Sequence, residues 1–519
     1  MEDPASLVLH SIAERLVQYV VSLMLRVVDL ESRHRVGQLT VSQLAFELDE
    51  TMRIIEVLNE AVSVACQDRD CGVILDELSA LSLKYRHVGP VKQACDAILI
   101  AGFEPFVRII TDFCVHGSTA SDSFEEIFLK RIHSETVVEG LRSCPSIFKK
   151  FSTHIVQSGN HASVARSLGL RPHPIAVPET KQLIQEDYQA INFFNDCIAK
   201  SSSALYLAVN TRTPIEPAIR WFMQYFLITK SDWYTPIIEK SIHELEKPIK
   251  LFDRSYLNEL LHQLPGSPSC ELHPFQIEDT FGPGGCLRTL ADIKKEELES
   301  VSLPAIKAFT LRPKVEFPLT LILTDSTVFK FQTVFRILNY CRIVSIKLSQ
   351  LWLDFQSTRS IGDGYILISA NMLLKRMTHF VENFLFHLNI DVIAACVRGF
   401  EFSEDIDEMR KSLEKLIEEI LSRCCISPSC VRSVNKVLGT CSLFASHMSR
   451  LITVEDDLIR VTQEQQYVDL IGKFEDAFDG QMNSLLVQLK HFVGSDRARA
   501  QALVAKIDYN DYYSNKIGL

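Results

Sequence analysis

The chain is 519 residues long, room for two to four domains at about 100–200 residues each. Apolar residues make up 47% of it and charged residues 23%, globular proportions that exclude a disordered or collagen-like chain. With 54 basic against 65 acidic residues the net charge is −11, which argues against a general affinity for nucleic acid or anionic lipid.

The chain opens Met1-Glu2-Asp3-Pro4, with acid where a signal peptide carries base, so the expectation is a cytosolic protein with reduced thiols. Its most apolar early run, Leu16–Leu25, is bounded by Arg15 and Arg26 and is shorter than the roughly 20 residues a membrane span needs. Helical periodicity then dominates. Ile12–Leu30 aligns Leu16, Val20, Leu23 and Val27, and the next helices are expected over Thr40–Leu48 and Met52–Val64. Three prolines in Arg171–Pro178 divide two helical blocks, and Pro265–Gly285 reads as a turn-rich linker. The best strand signal is Leu319–Leu323, a short run that equally fits a buried helical turn. Val328–Trp352 aligns Val328, Phe331, Phe335, Leu338, Cys341 and Leu348 on one face. After the break at Gly362-Asp363-Gly364, Ile406–Leu421 repeats the pattern with acid at its first turn, where the helix dipole favours it. No βαβ alternation and no fixed-period repeat occur, so the fold class is all-α and neither doubly wound nor a helical-repeat array.

Motifs for chemistry are absent. Gly282–Cys286 lacks the Lys-Ser/Thr of a phosphate loop and reads as linker. Cys424, Cys425, Cys430 and Cys441 do not form paired C-x2-C units, so buried thiols are expected in place of zinc. There is no HExxH, no GxSxG and no EF-hand loop. No cofactor, metal or catalytic residue is expected.

The informative stretch is Phe317-Pro318-Leu319-Thr320-Leu321-Ile322-Leu323 followed by Phe329 to Trp352, with Gln332, Phe335, Arg336, Leu338 and Cys341 in register. A second block runs Leu374-Lys375-Arg376-Met377, then His379 to Asn383, and on to Val392-Ile393. A third is Lys506-Ile507-Asp508-Tyr509-Asn510-Asp511-Tyr512-Tyr513. In the first half stand Leu30-Glu31-Ser32-Arg33-His34, Gly37, Leu39-Thr40 and Thr51-Met52-Arg53, then Glu104-Pro105-Phe106 and Asp122 to Glu126. Tyr225-Phe226-Leu227, Asp232-Trp233 and Glu244 to Pro248 follow. Together these blocks resemble the gamma-tubulin complex protein family, the second-component branch more than the third. Phe317 replaces the family's tryptophan, Phe331 its tyrosine and Arg342 its lysine.

The resemblance implies a non-enzymatic, elongated all-helical rod of two bundle-like domains. Residues 1–212 would contact a neighbouring family member laterally, a third-component-like partner forming a heterodimer, with Glu31, Arg33 and Arg53 as candidates. Residues 213–519, interrupted by the linker at about 265–286, would bind gamma-tubulin, with Arg336, Asn339, Arg342, Arg376, His379, Asn383, Asp508, Tyr509 and Tyr512 as candidates. Lateral assembly would template microtubule nucleation at a microtubule-organising centre such as a spindle pole, the minus end being met only indirectly. Any GTP would belong to gamma-tubulin, and neither nucleic acid nor membrane is an expected partner. An all-helical vesicle-tethering subunit is the competing class.

Overall fold

Ser6 stands in extended backbone and its hydroxyl accepts the Leu9 N–H at 3.1 Å, starting α1 (Leu7–Arg35). In this computed structural model the described residues are 6–66, 70–118, 128–131, 137–139, 143–170, 175–229, 232–248, 251, 253–263, 275–279, 305–307, 309–313, 315–358, 365–424, 428–454, 460–491 and 495–517. The glycine-rich parts of the expected linker, including Gly282–Cys286, and the Gly362–Gly364 break lie outside them, as do Cys425 and Asp122 to Glu126. The chain divides into an N-terminal unit, Met1–Thr213 with Glu404–Ile406, and a C-terminal unit, Pro214–Ser403 with Asp407–Leu519.

In the N-terminal unit α2 (Val41–Ala65) is one helix, where two were expected. Thr40 and Gln43 close a capping box at its start. The polar Asp49-Glu50-Thr51 step does not break it, because Thr51 is buried and its hydroxyl donates to the Glu47 carbonyl at 2.9 Å. α3 (Cys71–Lys84) follows, then α4 (Gly89–His116), the centre of the unit. Pro105 lies inside α4 and has no N–H for the carbonyl of Ala101; Ser11 of α1 donates to that oxygen at 2.7 Å and ties the two helices.

After the short antiparallel pair β1 (Leu129–Arg131) and β2 (Val137–Glu139) come α5 (Ser146–Lys149), α6 (Ser152–Ser167), α7 (Thr180–Gln185) and α8 (Asp187–Arg212). α6 packs between α4 and α8. Its close approach requires Gly159, where a Cβ would stand 2.1 Å from the Phe113 ring. Phe103, Phe106, Phe148, Phe151, Phe193 and Phe194 stack edge and face through this core.

The C-terminal unit begins with α9 (Ile215–Phe226), α10 (Tyr234–Leu245) and α11 (Arg254–Gln263). β3 (Phe275–Asp279) pairs antiparallel with β4 (Phe309–Pro313), so part of the expected linker is a strand. Leu319–Leu323 is no strand: Leu319–Leu321 is a 3₁₀ turn. α12 (Asp325–Thr358) then runs through the core, and Phe331, Phe335, Leu338, Cys341 and Leu348 are all buried along it.

α13 (Tyr365–Phe386) continues through a π-helical segment, His387–Ala394, into Ala395–Arg398. α14 (Ile406–Arg423), α15 (Pro428–Val454), α16 (Arg460–Lys490), α17 (Ser495–Ile507) and α18 (Tyr512–Ile517) complete the unit. α12 packs on α13 and α15, and α13 packs also on α16 and α17. Cys424, Cys430 and Cys441 are buried free thiols.

Among the described residues two helices, Leu7–Arg35 and Ile368–Arg398, are long and apolar enough to cross a membrane by length and composition alone. Counting only the uninterrupted run Leu16–Leu25 missed both. Ile368–Arg398 buries Leu373, Leu374, Met377, Phe380, Val381 and Phe384 in its own unit, as a core helix does.

Candidate functional site

α13 carries an inner and an outer stripe. The outer one is Ile368, Met372, Lys375, His379, Glu382 and Phe386, with Ile390 at its end on the π segment; spacings of three and four place these residues on one face. Ile368, Met372, Phe386 and Ile390 are large apolar groups left exposed on it. Two apolar ends thus flank a polar middle.

Beside this face runs a C-terminal strap. α17 ends at Ile507, and the Asp508 carboxylate accepts the Tyr513 N–H at 3.0 Å, the Ser514 N–H at 2.9 Å and the Ser514 hydroxyl at 2.6 Å. Those bonds outweigh burial and hold the Asp508 pKa below the usual carboxylate range. Asp511 takes φ +53°, a left-handed turn that aspartate tolerates, and Lys490 donates to the Ser514 hydroxyl at 3.0 Å.

Arg376 fastens the strap to α13. It donates to Glu475 at 2.7 Å, to Asp479, and to the Tyr513 hydroxyl at 3.2 Å. Its guanidinium lies 5.1 Å from the Tyr512 ring centre and 5.5 Å from that of Tyr513. What the strap sets outward is Tyr509, 71% exposed, with its ring 5.3 Å from that of His379. Lys506 of α17 bonds Asp391 and lies 4.7 Å from the Phe386 ring centre, joining the helix that leads into the strap to the far end of the face.

Of the nine candidates, five meet here: Arg376, His379, Asn383, Tyr509 and Tyr512, with Asp508 buried beneath them. Asn383 donates to the His379 carbonyl at 2.8 Å. Arg336, Asn339 and Arg342 lie on α12 and not on α13. Asn339 and Asp508 are corrected to interior roles: Asn339 is fully buried and accepts from the Tyr234 hydroxyl. Arg342 donates inward to the Ile228 carbonyl, while Arg336 is half-buried. Ile368, Met372, Phe386 and Ile390, which share the outer face by helical spacing, are not among the nine candidates.

A second apolar face lies on α1. Leu16, Tyr19 and Leu23 pack toward the core, whereas Val17, Val20, Val21, Met24, Leu25, Val27 and Val28 are exposed. The expected single stripe through Leu16, Val20, Leu23 and Val27 therefore divides between the two sides. Arg33 spans from Asp29 to Glu47 of α2, each at 3.7 Å, and Arg26 meets Glu50 at 2.8 Å. Glu31 pairs with Arg35 and Arg53 with Asp49, both within one helix.

A profile described as Gamma tubulin complex component C-terminal matches residues 218–513, and one described as Gamma tubulin complex component N-terminal matches residues 1–225. The chain belongs to the gamma-tubulin complex component family. The C-terminal match takes in all of α13 and ends at Tyr513, the strap residue bonded to Arg376.

Among named family members, Gamma-tubulin complex component 2 of Mus musculus is 20% identical over 98% of this chain and 64% of its own length. The Arabidopsis thaliana protein of the same name is 19% identical over 92% of this chain and 76% of its own. Spindle pole body component alp4 of Schizosaccharomyces pombe is 22% identical over 62% of this chain and 50% of its own. The chain thus spans less than two thirds of the mouse relative.

Proposed function

We propose that this chain is a non-enzymatic structural subunit that binds gamma-tubulin and assembles side by side with related subunits to nucleate microtubules. The observation that carries this reading is the pairing of both family domains, N-terminal and C-terminal, in one chain. The C-terminal unit receives one gamma-tubulin on the outer face of α13, with His379, Asn383, Tyr509 and Tyr512 at the contact. The N-terminal unit pairs laterally with a third-component-like subunit through the exposed apolar face of α1. Arraying gamma-tubulins in this way prepays the entropy of aligning subunits before alpha/beta-tubulin arrives. GTP belongs to the gamma-tubulin partner. The site of action is a microtubule-organising centre, in keeping with the spindle pole body names among its relatives.

The test is co-expression of the full chain with gamma-tubulin and a third-component-like subunit, followed by purification through this chain and analysis of mass. A complex holding both partners, with one gamma-tubulin for each family subunit, is the expected result. A folded chain that retains no gamma-tubulin would falsify the reading. No observation supports the vesicle-tethering alternative.

A further inference from the structure

We infer that Arg376 is a positioning residue, and that Tyr509, set out by the strap it fastens, is the aromatic anchor of the α13 face. This rests on the reading that the face receives gamma-tubulin. Arg376 has little of itself to offer a partner: its guanidinium meets Glu475, Asp479 and Tyr513, the rings of Phe478, Tyr512 and Tyr513 flank it, and only 21% of its side chain is exposed. Tyr509 has the opposite character. It is 71% exposed and backed on one side by His379, and its rigid ring loses little entropy on burial. Met372, Phe386 and Tyr512 are also exposed in this region, the composition of an interface centre.

The strap has two sets of fastenings. Asp508 and Lys490 hold its backbone and Ser514, while Arg376 holds the Tyr512 and Tyr513 rings. Removing Arg376 releases the second set and leaves the first. The partner surface this predicts is an apolar pocket for the Tyr509 ring, with acid nearby to meet the exposed Lys375.

The experiment measures affinity of the full chain for purified gamma-tubulin, with hydrogen exchange read at residues 508–517 and in the α12 core. Wild type is measured first, and failure to bind there removes the underlying reading and this inference with it. Where wild type binds, Tyr509→Ala weakens binding about ten-fold or more with strap exchange unchanged. Arg376→Gln weakens it comparably and speeds strap exchange, Arg376→Lys recovers it in part, and Arg376→Gln/Tyr509→Ala is no weaker than the worse single variant. Unchanged affinity in Tyr509→Ala overturns the anchor. Lost affinity in Arg376→Gln with wild-type strap exchange overturns the positioning role and makes Arg376 a direct contact. Should Arg376→Gln disturb α12 exchange, Tyr509→Ala, which removes an exposed side chain, decides the anchor without it.

Discussion

Arg342 donates from Nη2 to the Ile228 carbonyl oxygen at 3.0 Å, and Ile228 is a buried β-branched residue at φ +50°. Such a residue is a steric outlier in the left-handed region and persists only where its surroundings hold it. Arg342 supplies that hold and also faces the Tyr234 ring at 5.8 Å, at the cost of burial, which pushes its pKa below the ordinary guanidinium value. Arg342→Met should destabilise the C-terminal unit by about 1.5–3 kcal/mol, the worth of a hydrogen bond from a charged donor, read by denaturation and by faster exchange near residues 227–229.

His387 makes a second prediction at this scale. Burial holds its pKa below the ordinary imidazole value even though Asp391 is 3.1 Å from Nδ1. The unfolded chain therefore takes the proton more readily than the folded one. The stabilising contribution is complete above about pH 6.5 and is lost as pH falls from there through the folded value. Comparing wild type with His387→Gln at pH 5.5 and 7.5 should show a smaller stability difference in the variant, the slope from this group being at most about 1.4 kcal/mol per pH unit.

At the scale of elements, legibility followed how a helix is buried. α12 could be read because its apolar residues face one core: Phe331, Phe335, Leu338 and Cys341 fall on a single stripe and all are buried. α1 could not, because apolar residues occupy both its core side and its free side, and periodicity does not say which is covered. The strap was legible as a motif but not as a device. Asp508 works through bonds five and six residues ahead, and Arg376 through a tyrosine 137 residues away, distances that local pattern does not encode. Asn339 was likewise misread, since its partner Tyr234 is 105 residues distant.

Two tests belong to this scale. Gly159→Ala should cost the N-terminal unit about 1–3 kcal/mol through overpacking against Phe113, seen as a lowered unfolding midpoint. Val21→Glu with Leu25→Glu should leave folding within about 0.5 kcal/mol, because both side chains are exposed. The same pair should abolish association with the third-component-like subunit in sedimentation.

For the whole molecule, the two proposed partners are assigned to different units, so their losses should separate. Tyr509→Ala is expected to reduce gamma-tubulin recovery while lateral pairing persists, and the α1 double variant is expected to do the reverse. Pull-downs scored for both partners check this, and loss of both in either variant would contradict the division of labour.

Synthesis gives the clasp an order in time. Arg376 leaves the ribosome 99 residues ahead of Glu475, 103 ahead of Asp479 and 137 ahead of Tyr513. At about 5–20 residues per second, its guanidinium waits on the order of ten seconds for its last partner. The N-terminal unit is nearly all made by then, so under the proposed assignment of partners the lateral face is complete before the gamma-tubulin face. Strap closure is the late step, and the proposal then predicts that a chain stopped short of Tyr509 pairs laterally but recovers no gamma-tubulin.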